Sequence, residues 1–153
     1  MRWLCATFLW LALLHAARAD TPVHLEAAGL AVSVPDGWSA ASEGTHLVVG
    51  SGDGAVVLVF MVVEPRDLAR VISDLHRNQV RHLGRTRQQA PRSYDLNGLA
   101  VQEEQGVSAQ GDLWQLLVVS ASRPVVVYTL TSAQGMARYE AQYLQLLRSL
   151  RPL

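Results

Sequence analysis

Arginine is the residue type in this chain whose spacing best supports binding chemistry. Arg66, Arg70, Arg77 and Arg81 follow one another at steps of four, seven and four. At 100° per residue those steps keep all four on one arc of a helix. Only Asp74 interrupts the series, and Arg85 and Arg87 follow it. A guanidinium grips carboxylate or phosphate through two parallel N–H bonds. The pattern predicts a docking surface for an acidic protein or for anionic lipid headgroups. The plainer alternative is a solvated helix face, because the chain has no lysine and every basic residue must be arginine.

Other residues with chemical potential are more scattered. His76 and His82 are six apart, about 240° around a helix, whereas a shared metal ion asks for i, i+4 spacing. No structural-zinc pattern is present. His24 and His46 could meet only across strands. Gly50-Ser51-Gly52-Asp53-Gly54 has the glycine content of a phosphate loop, but an apolar strand rather than a helix follows and no lysine accompanies it. It reads as a flexible hairpin tip. Glu103 and Glu104 are adjacent acids, and neighbours on a strand point to opposite faces, so they cannot act as a pair. The G-x-S-x-G elbow of serine hydrolases is absent. Trp114 and Tyr128 read as core aromatics. No catalytic residue, cofactor site or metal site is assigned.

Elements that would carry these residues follow from periodicity. Strands are predicted at 23–27, 30–34, 45–49, 55–63, 86–93, 99–105, 113–121 and 125–131, with a Pro-Asp-Gly-Trp turn at 35–38. A helix is predicted from Pro65 to Leu83, closed by Gly84. Its inner arc is Leu68, Val71, Ile72, Leu75 and Leu83. A second helix, capped by Ser132, reaches about Leu150, with Met136, Tyr139, Tyr143, Leu146, Leu147 and Leu150 inward. Asn97-Gly98 is a strong hairpin turn signal. The strands Val56–Val63, Leu116–Val119 and Val125–Val127 are apolar on both faces, so both faces need cover. The expected fold class is α+β: a mostly antiparallel sheet sandwiched between helices, a three-layer α/β/α arrangement.

The N-terminus adds location. Arg2, an apolar run of 12 residues from Trp3 to Leu14, and Ala17-Arg18-Ala19 match a cleavable signal peptide. The run is shorter than the roughly 20 residues a membrane-spanning helix requires. Residues 1–19 are expected to be removed, leaving one domain over 20–153. Cys5 lies ahead of most of the apolar run, which argues against a lipid anchor, and the remaining 134 residues hold no cysteine. They carry 11 Arg and 13 acids. Segment 66–92 holds a net +5 and the remainder −7. A slightly acidic, exported chain is a poor nucleic-acid binder. Abundant Ala, Gly and Arg without Lys suits a GC-rich bacterial genome.

The order of elements, with GLAVSVPDGW at 29–38, a glycine-tipped hairpin, DLNGLA at 95–100 and a closing helix, resembles the PsbP-like superfamily. That group includes the photosystem PsbP proteins, the nuclear Ran-binding Mog proteins and bacterial envelope proteins of the DcrB type. The resemblance spans nearly all of 20–153. It implies an antiparallel sheet between helices and a non-enzymatic assembly or binding role. Neither the metal ligands of plant PsbP nor the Ran-contacting acids of Mog can be placed on this sequence, so it implies no cofactor. The expected function is an exported, non-catalytic binding or assembly factor of the cell envelope, periplasmic or secreted. A carrier with a ligand pocket between sheet and helix is the alternative, and a hydrolase is a more distant one.

Overall fold

The computed structural model describes residues 20–153. The expected signal peptide and Cys5 lie outside them. Eleven strands and two long helices make up the described residues. β1 (Thr21–Leu25), β2 (Leu30–Val34) and β11 (Arg151–Pro152) form a small sheet. The main sheet holds β3 (Ser39–Glu43), β4 (His46–Gly50), β5 (Val56–Val62), β6 (Thr86–Gln88), β7 (Arg92–Leu96), β8 (Leu99–Ser108), β9 (Leu113–Val119) and β10 (Val125–Thr131). Its order is β3-β4-β5-β10-β9-β8, with β6 and β7 both pairing the outer side of β8. Every pairing among the described residues is antiparallel. The fold is a mostly antiparallel sheet with two helices.

Helix α1 (Leu68–Leu83) follows a short 3-10 turn at Pro65–Asp67, and α2 (Ala133–Arg148) follows Ser132. The Ser132 hydroxyl accepts from Gly135 N–H, as a cap should. Alternation along the central strands sends side chains to two cores. Val56, Leu58, Phe60, Leu117, Val125 and Val127 pack with α2 and with the small sheet. Trp114, Leu116 and Val126 pack with α1. The two covers differ in depth. α2 buries Tyr143, Leu146 and Leu147, whereas the only buried residue of α1 is the polar Gln79, at 2% exposure. The predicted inner arc of α1 does face the sheet, but Leu68, Val71, Ile72 and Leu75 remain half-buried.

Several elements differ from the sequence reading, the short β11 after the last helix among them. β3 was not expected, because Ser39-Ala40-Ala41-Ser42-Glu43 is exposed throughout and carries no apolar alternation. The single strand expected at 86–93 is two. Pro91 lacks an N–H and ends the pairing, so β6 and β7 meet different halves of β8. β8 itself runs three residues beyond the expected end at Gln105.

Asn97 does double duty. With φ of 53° it makes the β7–β8 turn, and its side-chain N–H groups donate to the carbonyls of Arg148 at 2.8 Å and Leu150 at 2.6 Å. Those carbonyls lie at the end of α2, where intrahelical partners run out.

Candidate functional site

The arginines predicted from sequence are exposed on α1 and the turn before it, as expected for an outward arc. They are not all free. Asp67 sits 3.9 Å from Arg66 and 3.2 Å from Arg70, and Asp74 pairs with Arg70 and Arg77. Among the described residues Arg81 and Arg85 form no ion pair. The uncompensated charge therefore gathers at the C-terminal end of α1. There Val80 is 59% exposed, and a shallow hollow is lined by Ile72, His76, Val80 and Arg81. Arg87 alternates to the other face of the sheet from Thr86, which bonds Gln79 of α1.

The histidines do not converge. His24 lies in the small sheet, 3.6 Å from Glu26, and His46 in the main sheet. His76 bonds Glu104 at 2.8 Å and meets the Trp114 ring edge-on, at 6.1 Å between centroids. Glu103 and Glu104 point to opposite faces: Glu104 to α1, Glu103 to α2.

The glycine-rich loop, expected as a hairpin tip, is tied by several hydrogen bonds. Asp53 Oδ1 accepts from the Ala55 N–H at 3.0 Å and from the Ser51 hydroxyl at 2.8 Å, and Ser51 Oγ accepts from the Val56 N–H. Arg138 of α2 donates to Asp53 Oδ2 at 2.8 Å. Gly52 packs against the 35–38 turn, where an added Cβ would lie 2.9 Å from the Gly37 carbonyl. The hydrogen bonds from Ala55 and Ser51 stabilise the Asp53 carboxylate and hold its pKa down at about 2. A depressed carboxyl pKa contributes stability above the unfolded value and loses it as pH falls through the folded one. In an NMR titration, the loop amides should therefore stay constant from neutrality to about pH 4 and move with a midpoint near 2. A midpoint near the ordinary carboxyl value would show the loop to be untied.

The best-formed concavity lies on the α2 face. A cleft of about 250 Å³ opens between α2 and strands β8–β10, and a wider hollow of about 610 Å³ continues it toward β7. Both are lined by Arg92, Gln115 and Leu144. A half-buried polar chain crosses the floor. The Tyr143 hydroxyl donates to Gln115 Oε1, and Gln115 Nε2 donates to Glu103 Oε1 at 3.0 Å. Arg92, directly across from Glu103 on β7, donates to the same oxygen at 2.7 Å. Thr129 Oγ1 lies 3.5 Å from the Tyr143 hydroxyl. The Glu103 side chain is 3% exposed, while Arg92 remains 63% exposed. Burial pushes the Tyr143 hydroxyl well above its usual pKa. Burial first, then the Glu103 charge, pushes Tyr94 up to about 12. Bonding to Glu103 raises Arg92.

The sequence reading placed Tyr143 on the inner arc of the second helix and set Glu103 aside as half of an unworkable acid pair; it assigned neither to a cleft, and Arg92 and Gln115 were not singled out. The available signal was phase. Leu99, Val101, Glu103 and Gln105 share one face of β8, so two polar residues continue a buried row.

No family model and no curated protein matches the chain. Solved structures do. The solution structure of cyanobacterial PsbP (CyanoP) from Synechocystis sp. PCC 6803 aligns over 88% of this chain and 93% of its own, with a TM-score of 0.60 at 13% identity. The crystal structure of LpqN, involved in cell envelope biogenesis of Mycobacterium tuberculosis, aligns over 86% and 89%, with a TM-score of 0.50 at 13% identity. Likeness over most of both chains at so low an identity speaks to architecture alone: the chain has the PsbP-like fold.

Proposed function

We propose that this chain is an exported, non-catalytic binding or assembly factor of the bacterial cell envelope, acting in the periplasm or outside the cell. It presents the arginine face of Arg66, Arg70, Arg77 and Arg81 to an acidic envelope protein. The observation that carries this is the exposed, uncompensated charge at Arg81 beside the bared Val80, with the exposed Arg85 just past the end of α1. The envelope role of a structure with the same fold, LpqN, supports the setting, as does the leader-like sequence at 1–19. No described helix is long and apolar enough to cross a membrane. Helix, sheet and helix stand as three layers in this reading, with α1 the thin outer one that faces the partner.

The test is affinity capture from envelope extract, comparing the wild type with the triple variant Arg77→Ser, Arg81→Ser, Arg85→Ser. These side chains are exposed, so stability should change by less than about 0.5 kcal/mol each. Wild type is expected to retain specific partners at about 0.15 M salt and release them as screening rises; the variant is expected to lose them. Recovery of the same partners by both proteins would exclude the arginine face. The carrier reading is favoured by a separate observation, the cleft under α2.

A further inference from the structure

The α2 cleft has a composition that selects among ligands. Its charged lining consists of Arg92 and Arg148 against Glu103 and Glu140, so the charges cancel. A charged ligand would find no opposite charge left over to offset its desolvation. An apolar one would strip water from amides and hydroxyls and leave them unpaired. What remains is dense in planar groups that present two polar atoms side by side. They are the Gln89, Gln105 and Gln115 amides, the Arg92 guanidinium and the Glu103 carboxylate.

Several of these groups hold each other in place while keeping valences free. Gln105 Nε2 donates to Gln89 Oε1 at 2.6 Å, which leaves the Gln105 oxygen and the Gln89 amide hydrogens for a ligand. Arg92 and Gln115 both donate to Glu103 Oε1, and the Tyr94 hydroxyl lies against the same carboxylate. Fixed polar groups of this kind bind at less ordering cost than mobile ones. Tyr94, partly exposed at the wide end, adds an aromatic surface. Leu144 and Met136 add apolar walls on the α2 side.

We propose that the cleft between α2 and strands β7–β10 binds an uncharged saccharide. A sugar hydroxyl both donates and accepts, and neighbouring hydroxyls match a planar amide or guanidinium in pairs. The C–H face of the ring fits Tyr94 and the Leu144 wall. The narrow end, about 250 Å³, lies just below the range of ordinary ligand sites and takes one sugar residue, with the wider hollow left for a second. The cleft uses none of the α1 arginines, so the saccharide site and the docking face stand or fall separately.

The test is an NMR titration of the purified protein with glucose, galactose, N-acetylglucosamine and lactose. Glucuronate and cyclohexanol serve as charged and apolar counterparts. At least one uncharged sugar is expected to give saturable shifts at the Gln89, Gln105 and Gln115 side-chain amides. Its affinity should fall about tenfold in Gln89→Ala and in Tyr94→Ala, both at exposed rim positions that leave the fold intact. Glu103→Gln, which keeps the shape and removes the charge, should also weaken it. Any of three results overturns the proposal: no saturable shift at these amides with any of the four sugars, an equal response to glucuronate or cyclohexanol, or unchanged affinity in both rim variants.

Discussion

Replacing Trp114 by alanine is expected to lower stability by about 3–5 kcal/mol, the range for losing a fully buried large aromatic. The ring is 1% exposed and is the largest side chain between the sheet and α1. Its Nε1–H donates to Thr86 Oγ1 at 3.2 Å, and the same hydroxyl accepts from Gln79 of α1. It also rests on Gly106, where an added Cβ would fall 2.6 Å from Nε1. Because α1 buries so little else, the loss should concentrate there. Urea unfolding should report the drop in midpoint, and hydrogen exchange should show α1 opening before α2. An equal rise in exchange across both helices would mean that Trp114 supports the whole sheet rather than this one cover.

Gly135→Ala is expected to destabilise by about 1–3 kcal/mol, the range for overpacking. Helix propensity alone predicts the opposite sign, a gain of up to about 1 kcal/mol. Packing decides. A Cβ at 135 would lie 2.8 Å from both the Ala55 carbonyl oxygen and Thr131 Oγ1, which are themselves hydrogen-bonded at 2.7 Å. Neither is the loose end of a flexible chain. Thermal or urea melts of the variant check the sign, and a midpoint at or above wild type would show that the first turn of α2 can shift.

The sequence disclosed the elements with internal periodicity and left out those defined by distant neighbours. Pro65 and Gly84 bracket α1, Ser132 caps α2, and the doubly apolar runs at 56–63 and 125–127 fall on the central strands β5 and β10. β3 was invisible because it is an exposed edge of small and polar residues, held by its ladder with β4 and not by burial. The β6–β7 break turned on which half of β8 each segment would meet, a choice made across the sheet. The arginine arc was legible as a helical pattern, but its pairing with Asp67 and Asp74 depends on rotamers. The cleft was least legible. Arg92, Glu103, Gln115 and Tyr143 come from three strands and a helix, and only the assembled sheet puts them in one line.

The Asn97 clamp has a bearing on the chemical ageing of the molecule. An asparagine followed by glycine is the sequence most prone to cyclise, the next backbone nitrogen attacking the side-chain amide and expelling ammonia. Here the Asn97 amide is held by two carbonyls, and the Gly98 nitrogen donates to Asp95 at 3.0 Å, so attacker and target are both occupied. Once hydrolysed to aspartate, the side chain would set a carboxylate against those carbonyls and release the end of α2. The folded state thus guards the bond whose breakage would loosen it, and each unfolding event starts the clock.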